Sequence, residues 1–385
     1  MLQQTFFGKE AIAFLKAEID KIKPSDILIV AGEHSYNLCG AKAIMGEQLS
    51  QYGLNFFTDF ETNPKWEDVV KGVRIIENIK PQVIIAVGGG SAIDMAKLIR
   101  FFYSYQGEPT DKEFIKQKEL IPLFGLPTTA GTGSEATRFA VCYVDKVKYS
   151  VEHEDILPDY ALIYPPFTYN NPKYLTACTV FDAFSQSVES FWSVNATKES
   201  EKYSKEAINL LWKNMITVVN QPTEKIRDEV AQGSCLSGKA INIAKTTAPH
   251  AFSYQFTSKL GYPHGHAVAL TFPFFFDLNL NARQDQLRDN IDKERYKEKI
   301  NTLRTLLNIE KGKEKQTMLN LIKAMGLQYV KNKENITNIE EMLFNVNFQR
   351  LNNNPVIIDK QITSSLAEYL KSLQWKHKKR ILVDG

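Results

Sequence analysis

The stretch from Val83 to Lys97 limits the fold more than any other. It runs Val83-Ile-Ile-Ala-Val87, then Gly88-Gly89-Gly90, then Ser91-Ala-Ile-Asp94-Met-Ala-Lys97. An unbroken apolar run rich in β-branched residues reads as a strand buried on both faces. The glycines form a turn whose backbone a ligand can approach closely. Ser91 and Asp94 have the spacing of a capping box, so a helix opens there. Its unpaired N–H groups and positive dipole end make an anion cradle, most often used for phosphate. The pattern is neither Gly-x-Gly-x-x-Gly nor a P-loop, and a glycine turn that binds nothing is the alternative. A strand buried on both faces belongs in a parallel sheet covered by helices, which calls for an α/β domain.

The flanking sequence repeats the alternation of strand and helix. Lys9 to Lys23 carries Ile12, Leu15, Ile19 and Ile22 on one helical stripe, and Pro24 ends it. Asp26 to Ala31 and Leu54 to Phe57 are candidate strands, with a polar helical stretch between them, and Trp66 to Lys80 is helical. A second loop, Pro127-Thr-Thr-Ala-Gly-Thr-Gly-Ser-Glu135, follows the apolar run Ile121 to Leu126. Thr128, Thr129, Thr132 and Ser134 offer hydroxyls there. Alone this loop could be an ordinary turn. Paired with the first, it suits a dinucleotide lying across the C-terminal ends of a sheet. Alternating residues from Val147 lead to Pro165-Pro166, where the texture changes.

From Lys173 onward the chain reads as mostly helical. Helices are expected at Ala196 to Val219, Thr223 to Ala244, within the charged region Leu280 to Lys331, within Lys333 to Leu351, and at Ser364 to Trp375. Asn352 to Pro355 reads as a turn. The chain has 385 residues, longer than one core usually serves, which divides it into an α/β domain at 1–165 and a helical domain at 166–385. A net charge of +3 is too small to point to nucleic acid, and the basic run Lys376 to Arg380 reads as a solvated terminus. No apolar run reaches membrane-spanning length; Leu270 to Phe276 is short and broken by Pro273. The N-terminus lacks a signal pattern, and the 4 cysteines are scattered without a Cys-x-x-Cys pair, so a reducing cytoplasm is expected.

The helical half carries the candidate chemistry. Asp182, Gln186 and Glu189 recur at helical spacing within Thr179 to Trp192; alone they could be the polar stripe of an amphipathic helix. His250, His264 and His266 cluster beside Pro263 and Gly265, at a turn or an element end. Together, Asp182, His250 and His264 could give one oxygen and two nitrogens to a divalent ion, with Gln186 adding an amide oxygen. A mixed set of this kind suits Fe(II) or Zn(II) in a Lewis-acid role. Joined to a dinucleotide cradle, it is the equipment of a hydride-transfer enzyme.

These motifs taken together resemble the iron-containing (group III) alcohol dehydrogenases over nearly the whole chain. The resemblance implies a parallel-sheet dinucleotide-binding domain, an all-helical C-terminal domain and a cleft site between them, as in the dehydroquinate synthase-like fold. It implies that Gly89, Gly90 and Ser91 contact the pyrophosphate of NAD(P)H, that Gly88 belongs to the same cofactor site and that Asp94 lies near the nicotinamide. It also implies that Thr128, Thr129 and Thr132 line the cofactor and that Lys148 lies near the nicotinamide ribose. Asp182, His250 and His264 match three of the family's four metal ligands, while Gln186 stands where His is usual. Tyr254 stands where the family often has a proton-relaying His. Gly32 stands where many members carry an Asp that would repel a 2′-phosphate.

Asp182 to Asn195 and Thr246 to Tyr254 look most like the phosphonoacetaldehyde reductase branch, which makes 2-hydroxyethylphosphonate. This resemblance implies a small aldehyde or alcohol substrate, no nucleic-acid or membrane partner, and a homodimer or larger homo-oligomer. An anionic phosphonate needs cationic contacts; Arg138 and His266 are candidates, against the alternatives of a surface ion pair and a satisfied structural histidine. Tyr254, with His266, is the candidate proton carrier. Three other readings compete: a general short-chain alcohol dehydrogenase, a lyase or cyclase on the related scaffold, and a cofactor-binding protein without turnover.

Overall fold

The computed structural model describes residues 3–145, 147–327, 339–346 and 348–373, with backbone only at 348–350. The basic run Lys376 to Arg380 and the helix limits expected at Lys331, Lys333 and Trp375 lie outside the described residues. The strands are β1 (Gln4–Phe7), β2 (Asp26–Ala31), β3 (Gly53–Phe57), β4 (Val83–Gly88), β5 (Tyr105–Gln106), β6 (Ile115–Lys116), β7 (Leu123–Pro127), β8 (Phe139–Val144), β9 (Val147–Glu152) and β10 (Tyr160–Ile163). Six of them form a sheet in the order β1-β10-β7-β4-β2-β3, and every pairing in it is parallel. Helices α1 (Lys9–Ile22), α2 (Glu33–Leu38), α3 (Ala41–Leu49), α4 (Trp66–Ile79) and α5 (Gly90–Ser104) complete this half.

The strand pattern explains the layering. Successive residues of a strand point to opposite faces. Leu28, Val30, Ile84 and Ala86 pack in one core with residues of α4 and α5. Ile27, Ile29, Val83, Ile85 and Val87 pack in another with residues of α1 and α3. The central strands therefore have no polar face, which is why they read as continuous apolar runs.

The second half is helical: α6 (Lys173–Trp192), α7 (Lys198–Asn220), α8 (Glu224–Ala244), α9 (Ala248–Leu260), α10 (His264–Leu280), α11 (Lys293–Leu307), α12 (Glu314–Ala324), α13 (Ile339–Phe344) and α14 (Lys360–Ser372). Helix α6 is buried along almost all of its length from Thr176. It packs in one core with residues of α7, α8 and α10. The halves meet where the second loop touches α8. A side chain at Gly133 would strike the backbone of Gly238, and one at Gly238 would strike the backbone of Gly133. Glycine at both positions lets loop and helix pack backbone to backbone.

One local expectation is corrected, and two strands come unannounced. The helix after the glycine turn begins at Gly90, and no side chain caps it. Ser91 Oγ instead accepts from the Asn63 amide (3.1 Å), and Asp94 accepts from the Val141 amide (2.9 Å) and from Ser134 Oγ. The capping-box spacing serves tertiary contacts and leaves the helix end uncapped. Strand β1 was not anticipated because it is a short, half-exposed edge. The antiparallel hairpin β8–β9 was missed in its first strand, and it carries Lys148 opposite Tyr143.

A buried ionic cluster underlies the second loop. The Lys97 ammonium, with no exposed surface, donates to the Ser134 carbonyl (2.8 Å), Thr137 Oγ1 (3.0 Å) and the Phe139 carbonyl (2.7 Å). Burial nevertheless pushes it down to about 8. Nearby Glu135 is 3% exposed, and burial pushes its carboxyl up to about 7. A folded pKa above the unfolded one means that the native state holds extra proton between pH 4.5 and 7. Stability from this group is therefore complete below that window and is lost as pH rises through it. Glu135→Gln should flatten the fall in unfolding free energy from pH 5 to pH 8 by roughly 3 kcal/mol at most, measured by chemical denaturation at both pH values.

Candidate active site

One cleft of about 680 Å³ runs between the halves and is lined by the glycine turn, the second loop, hairpin β8–β9 and helices α6, α9 and α10. Gly89, Gly90, Ser91, Asp94, Thr129, Thr132, Lys148, Asp182, Gln186, His250, Tyr254 and His264 all line it. Gly88 and Thr128 sit just behind it, joined by the Thr128 amide donating to the Gly88 carbonyl (2.9 Å). The glycines have a packing role as well. A side chain at Gly90 would collide with Thr132, and one at Gly88 with Ala92. The two loops anticipated from sequence are thus in direct contact.

Across the cleft lies a compact group of donors. Helix α6 presents Asp182. His250 lies in the first turn of α9, and His264 opens α10 directly after Pro263. His250 Nε2 is 3.1 Å from Asp182 Oδ1 and His264 Nε2 is 3.8 Å from it, and one ligand atom of each residue lies within 4.8 Å of the others. Donors held about 2.0–2.2 Å from one ion are about 3–3.5 Å apart. The donor types and spacings therefore fit a divalent metal ion. Gly265 makes this possible. A Cβ there would fall on the Cys178 carbonyl oxygen and crowd Asp182, so only glycine lets the start of α10 rest on α6.

Glu189, two turns after Asp182 on α6, completes the group. Sequence spacing placed it beside Asp182 and Gln186, but nothing there gave it a partner. It is fully buried, and its Oε1 is 2.5 Å from His250 Nδ1. Its Oε2 accepts from the Thr247 amide (2.7 Å) and Thr247 Oγ1 (3.0 Å). A carboxylate on the far nitrogen of a ligating imidazole fixes its tautomer and orientation. Burial disfavours a charged His250, but Glu189 and Asp182 overcome this and hold it up at about 10. Burial likewise works against Asp182, yet His264, His250 and Lys148 keep its carboxyl below the usual range.

The remaining candidates divide. Gln186 is one turn from Asp182, and its Oε1 accepts from Ser237 Oγ of α8 (3.0 Å). Tyr254 is one turn from His250, with its ring stacked on His264 at 5.5 Å and nearly parallel (6°). Lys148 Nζ lies 3.4 Å from the Tyr254 ring centroid. Arg138 is not at the cleft. Its guanidinium pairs with Glu154 (2.6 Å) and Glu152 (3.4 Å), because the hairpin turns it outward onto these neighbours. His266 is buried behind the cleft, where its Nδ1 is 2.7 Å from the Tyr174 hydroxyl. It packs edge-on against Tyr262. Its place two residues into α10 turns it away from His264, so neither it nor Arg138 is positioned to touch substrate.

Residues 3–165 match the sequence profile of the iron-containing alcohol dehydrogenases, and residues 176–347 match that family's C-terminal domain. The chain belongs to this family. It is 32% identical over 229 residues to a long-chain-alcohol dehydrogenase of Geobacillus thermodenitrificans; the match takes in 58% of this chain and 58% of that protein. It is 26% identical over 321 residues to an NADPH-dependent butanol dehydrogenase of Clostridium saccharobutylicum, a match of 78% of this chain and 81% of that one. Among solved structures it resembles the sulfoacetaldehyde reductase of Bifidobacterium kashiwanohense in complex with NAD+. That likeness has a TM-score of 0.77 and 26% identity, covering 97% of this chain and 100% of the other.

Two outcomes follow from the geometry. A metal entering the triad must displace the His250 proton, so affinity should rise about tenfold per pH unit from pH 7 toward 10, by titration with Zn(II) in weakly chelating buffers. Gly265→Ala should lift α10 from α6 and weaken Co(II) binding at least about tenfold, followed by visible absorption, with lowered thermal stability.

Proposed function

We propose that the chain catalyses NAD(P)H-dependent, metal-assisted reduction of a small aldehyde carrying an anionic head group, phosphonoacetaldehyde first among them, to the primary alcohol. The observation that carries this reading is the Asp182–His250–His264 group, with Asp182 and His250 buried and His264 open to the cleft, facing the Gly88–Gly90 cradle. Asp182, His250 and His264 would hold a divalent ion, which would supply Lewis-acid polarisation of a substrate oxygen, and the Gly88–Gly90 cradle would hold a reduced nicotinamide cofactor, which would supply hydride for the carbonyl carbon. The oxygen takes a proton, so aldehyde, hydride and proton balance to alcohol.

The chain's own residues divide the work. Glu189 holds His250 in register. Tyr254, stacked on His264, is placed to pass the proton, directly or through water. Phe139, Val141 and Ile241 line the cleft with apolar surface that excludes water and strengthens every charge interaction within it. Among the described residues, Lys148 is the only lysine or arginine lining the cleft. Its reach to the triad is attested by its pull on Asp182, and it supports recognition of a phosphonate or sulfonate. The similarity to a sulfoacetaldehyde reductase supports the same substrate class. At the far end the wall at Gly32 is not acidic, and Glu33 does not line it, which supports acceptance of NADPH beside NADH.

Metal-loaded protein should oxidise NADPH or NADH with phosphonoacetaldehyde and sulfoacetaldehyde at least about tenfold more efficiently than with butanal. Lys148→Ala should raise KM for the anionic aldehydes by about tenfold or more and leave butanal nearly unchanged, in steady-state assays. Equal efficiency with butanal would return the chain to general short-chain alcohol dehydrogenases. Absence of turnover with every aldehyde would sink the reductase reading.

A further inference from the structure

The link between α8 and α9 contains a backbone conformation that lysine rarely adopts. Lys245, the residue ending α8, has φ 60° and ψ 174°. This region is essentially confined to glycine, and a side chain there is held only when the surroundings over-determine it. They do so here. The Ala244 carbonyl accepts from Ser193 Oγ (2.7 Å), and the Lys245 amide donates to the Ile241 carbonyl (2.9 Å). The Thr246 carbonyl accepts from Asn353 Nδ2 (3.2 Å), and the Thr247 amide donates to Glu189 (2.7 Å). The Lys245 side chain reaches in the opposite direction, out of the helical half. Its ammonium is 2.5 Å from Glu152 Oε2 on β9.

Both ends of that contact lead to the site. The Val141 amide on β8 donates to Asp94 (2.9 Å) of α5, the helix that opens at the glycine turn. The hairpin is therefore tied to the cofactor cradle. Five residues beyond Lys245, His250 makes its contacts with Glu189 and Asp182. Along α8 the contacts to the α/β half recur on one face. Gly238 meets Gly133, Asn242 Oδ1 accepts from the Arg138 amide (2.8 Å), and Lys245 pairs with Glu152. Gly238 and Asn242, four residues apart, share one stripe of α8, and Lys245 follows just past the end of the helix. The clasp lies at the end of this stripe closest in sequence to the metal ligands.

We propose that Lys245 is a positioning residue. Its strained backbone turns the chain into the histidine helix, and its ion pair with Glu152 sets the separation between cofactor cradle and metal triad. The inference rests on the hydride-transfer reading for its kinetic consequence, but its structural core does not. Misplacing reacting groups by a fraction of an ångström slows the step without abolishing either binding site.

The test compares Lys245→Ala, Lys245→Arg, Lys245→Gly and Glu152→Gln, together with a charge-swapped pair, Glu152→Lys with Lys245→Glu, all in the full chain. Lys245→Ala and Glu152→Gln should lower kcat about tenfold or more. Co(II) affinity and NADPH affinity, each titrated alone, should stay within about threefold of wild type. Lys245→Arg and the swapped pair should recover kcat. Lys245→Gly should melt higher than Lys245→Ala, because glycine accepts the backbone, yet stay slow for want of the ion pair. In hydrogen exchange, amides 246–250 should open about tenfold more readily in Lys245→Ala, with α7 unchanged. A kcat within about twofold of wild type in Lys245→Ala, full recovery in Lys245→Gly, or a loss explained by weaker metal or cofactor binding would overturn the proposal. If the wild-type chain reduces no aldehyde, the functional reading fails and the exchange experiment decides for or against the clasp.

Discussion

The contact on which the site depends is the pair of buried carboxylates that hold one imidazole from both sides. Asp182 and Glu189 are seven residues apart on α6, two helical turns, and so face the same way. Either carboxylate, buried alone, would be driven to protonate. His250 gives each of them a ring nitrogen, and Thr247 gives Glu189 two further donors. Removing one member would leave an uncompensated buried charge, which costs about 3–5 kcal/mol. The same charges place the first turn of α9 against α6, and the close approach of Gly265 then brings α10 and His264 to the same spot. A binding site for a cation is thus built from the requirement to neutralise two anions.

The distance across the cleft is a separate matter, fixed by α8. Its innermost contact with the α/β half is backbone against backbone at Gly133 and Gly238, where no side chain could fit. Its outer contact, Lys245 with Glu152, is an ion pair with both side chains more than a third exposed. A rigid inner contact and a softer outer one make the natural arrangement for a hinge. Small rotations about the glycine pair would be felt most at the Lys245 end, where the chain turns toward His250. The hairpin β8–β9 moves with the cradle through Asp94, so Lys148 belongs mechanically to the cofactor side although it lies over Tyr254 of the opposite half.

Sequence revealed the parallel sheet and the long helices because both are written in local periodicity. The central strands are apolar on both faces, and α6 to α8 keep their hydrophobic stripe for several turns. It did not reveal β1, whose few residues alternate without a strong signal, or the first strand of the hairpin. The triad was legible because Asp182 stands on a polar stripe at helical spacing, and the two histidines stand beside helix starts and a proline. Glu189 was visible as a spacing but not as a partner, since its role arises from the return of residues 247 and 250 some sixty positions later. Arg138 and His266 were candidates for substrate contact by charge type and place in the chain, against a surface ion pair and a structural histidine. Whether such a side chain faces the cleft depends on the turn of a hairpin or of a helix, and composition does not encode that. The strained backbone at Lys245 leaves no mark in sequence, because lysine is an ordinary residue at a helix end.

The two departures from the family's usual histidines line the same cleft. Gln186 follows Asp182 by one turn of α6, and Tyr254 follows His250 by one turn of α9. An amide and a phenol carry no charge near neutral pH where imidazoles could, and the region loses positive potential as a result. Lys148 restores it. Its ammonium rests on the Tyr254 ring, a cation–π contact favoured in a partly dry cleft. After His264 and His250, it adds to the lowering of the Asp182 carboxyl. On the proposed reaction its main task is to attract an anionic head group. That requires hairpin and histidine helix to stay in register, which is the mechanical task of the contact between Glu152 and Lys245.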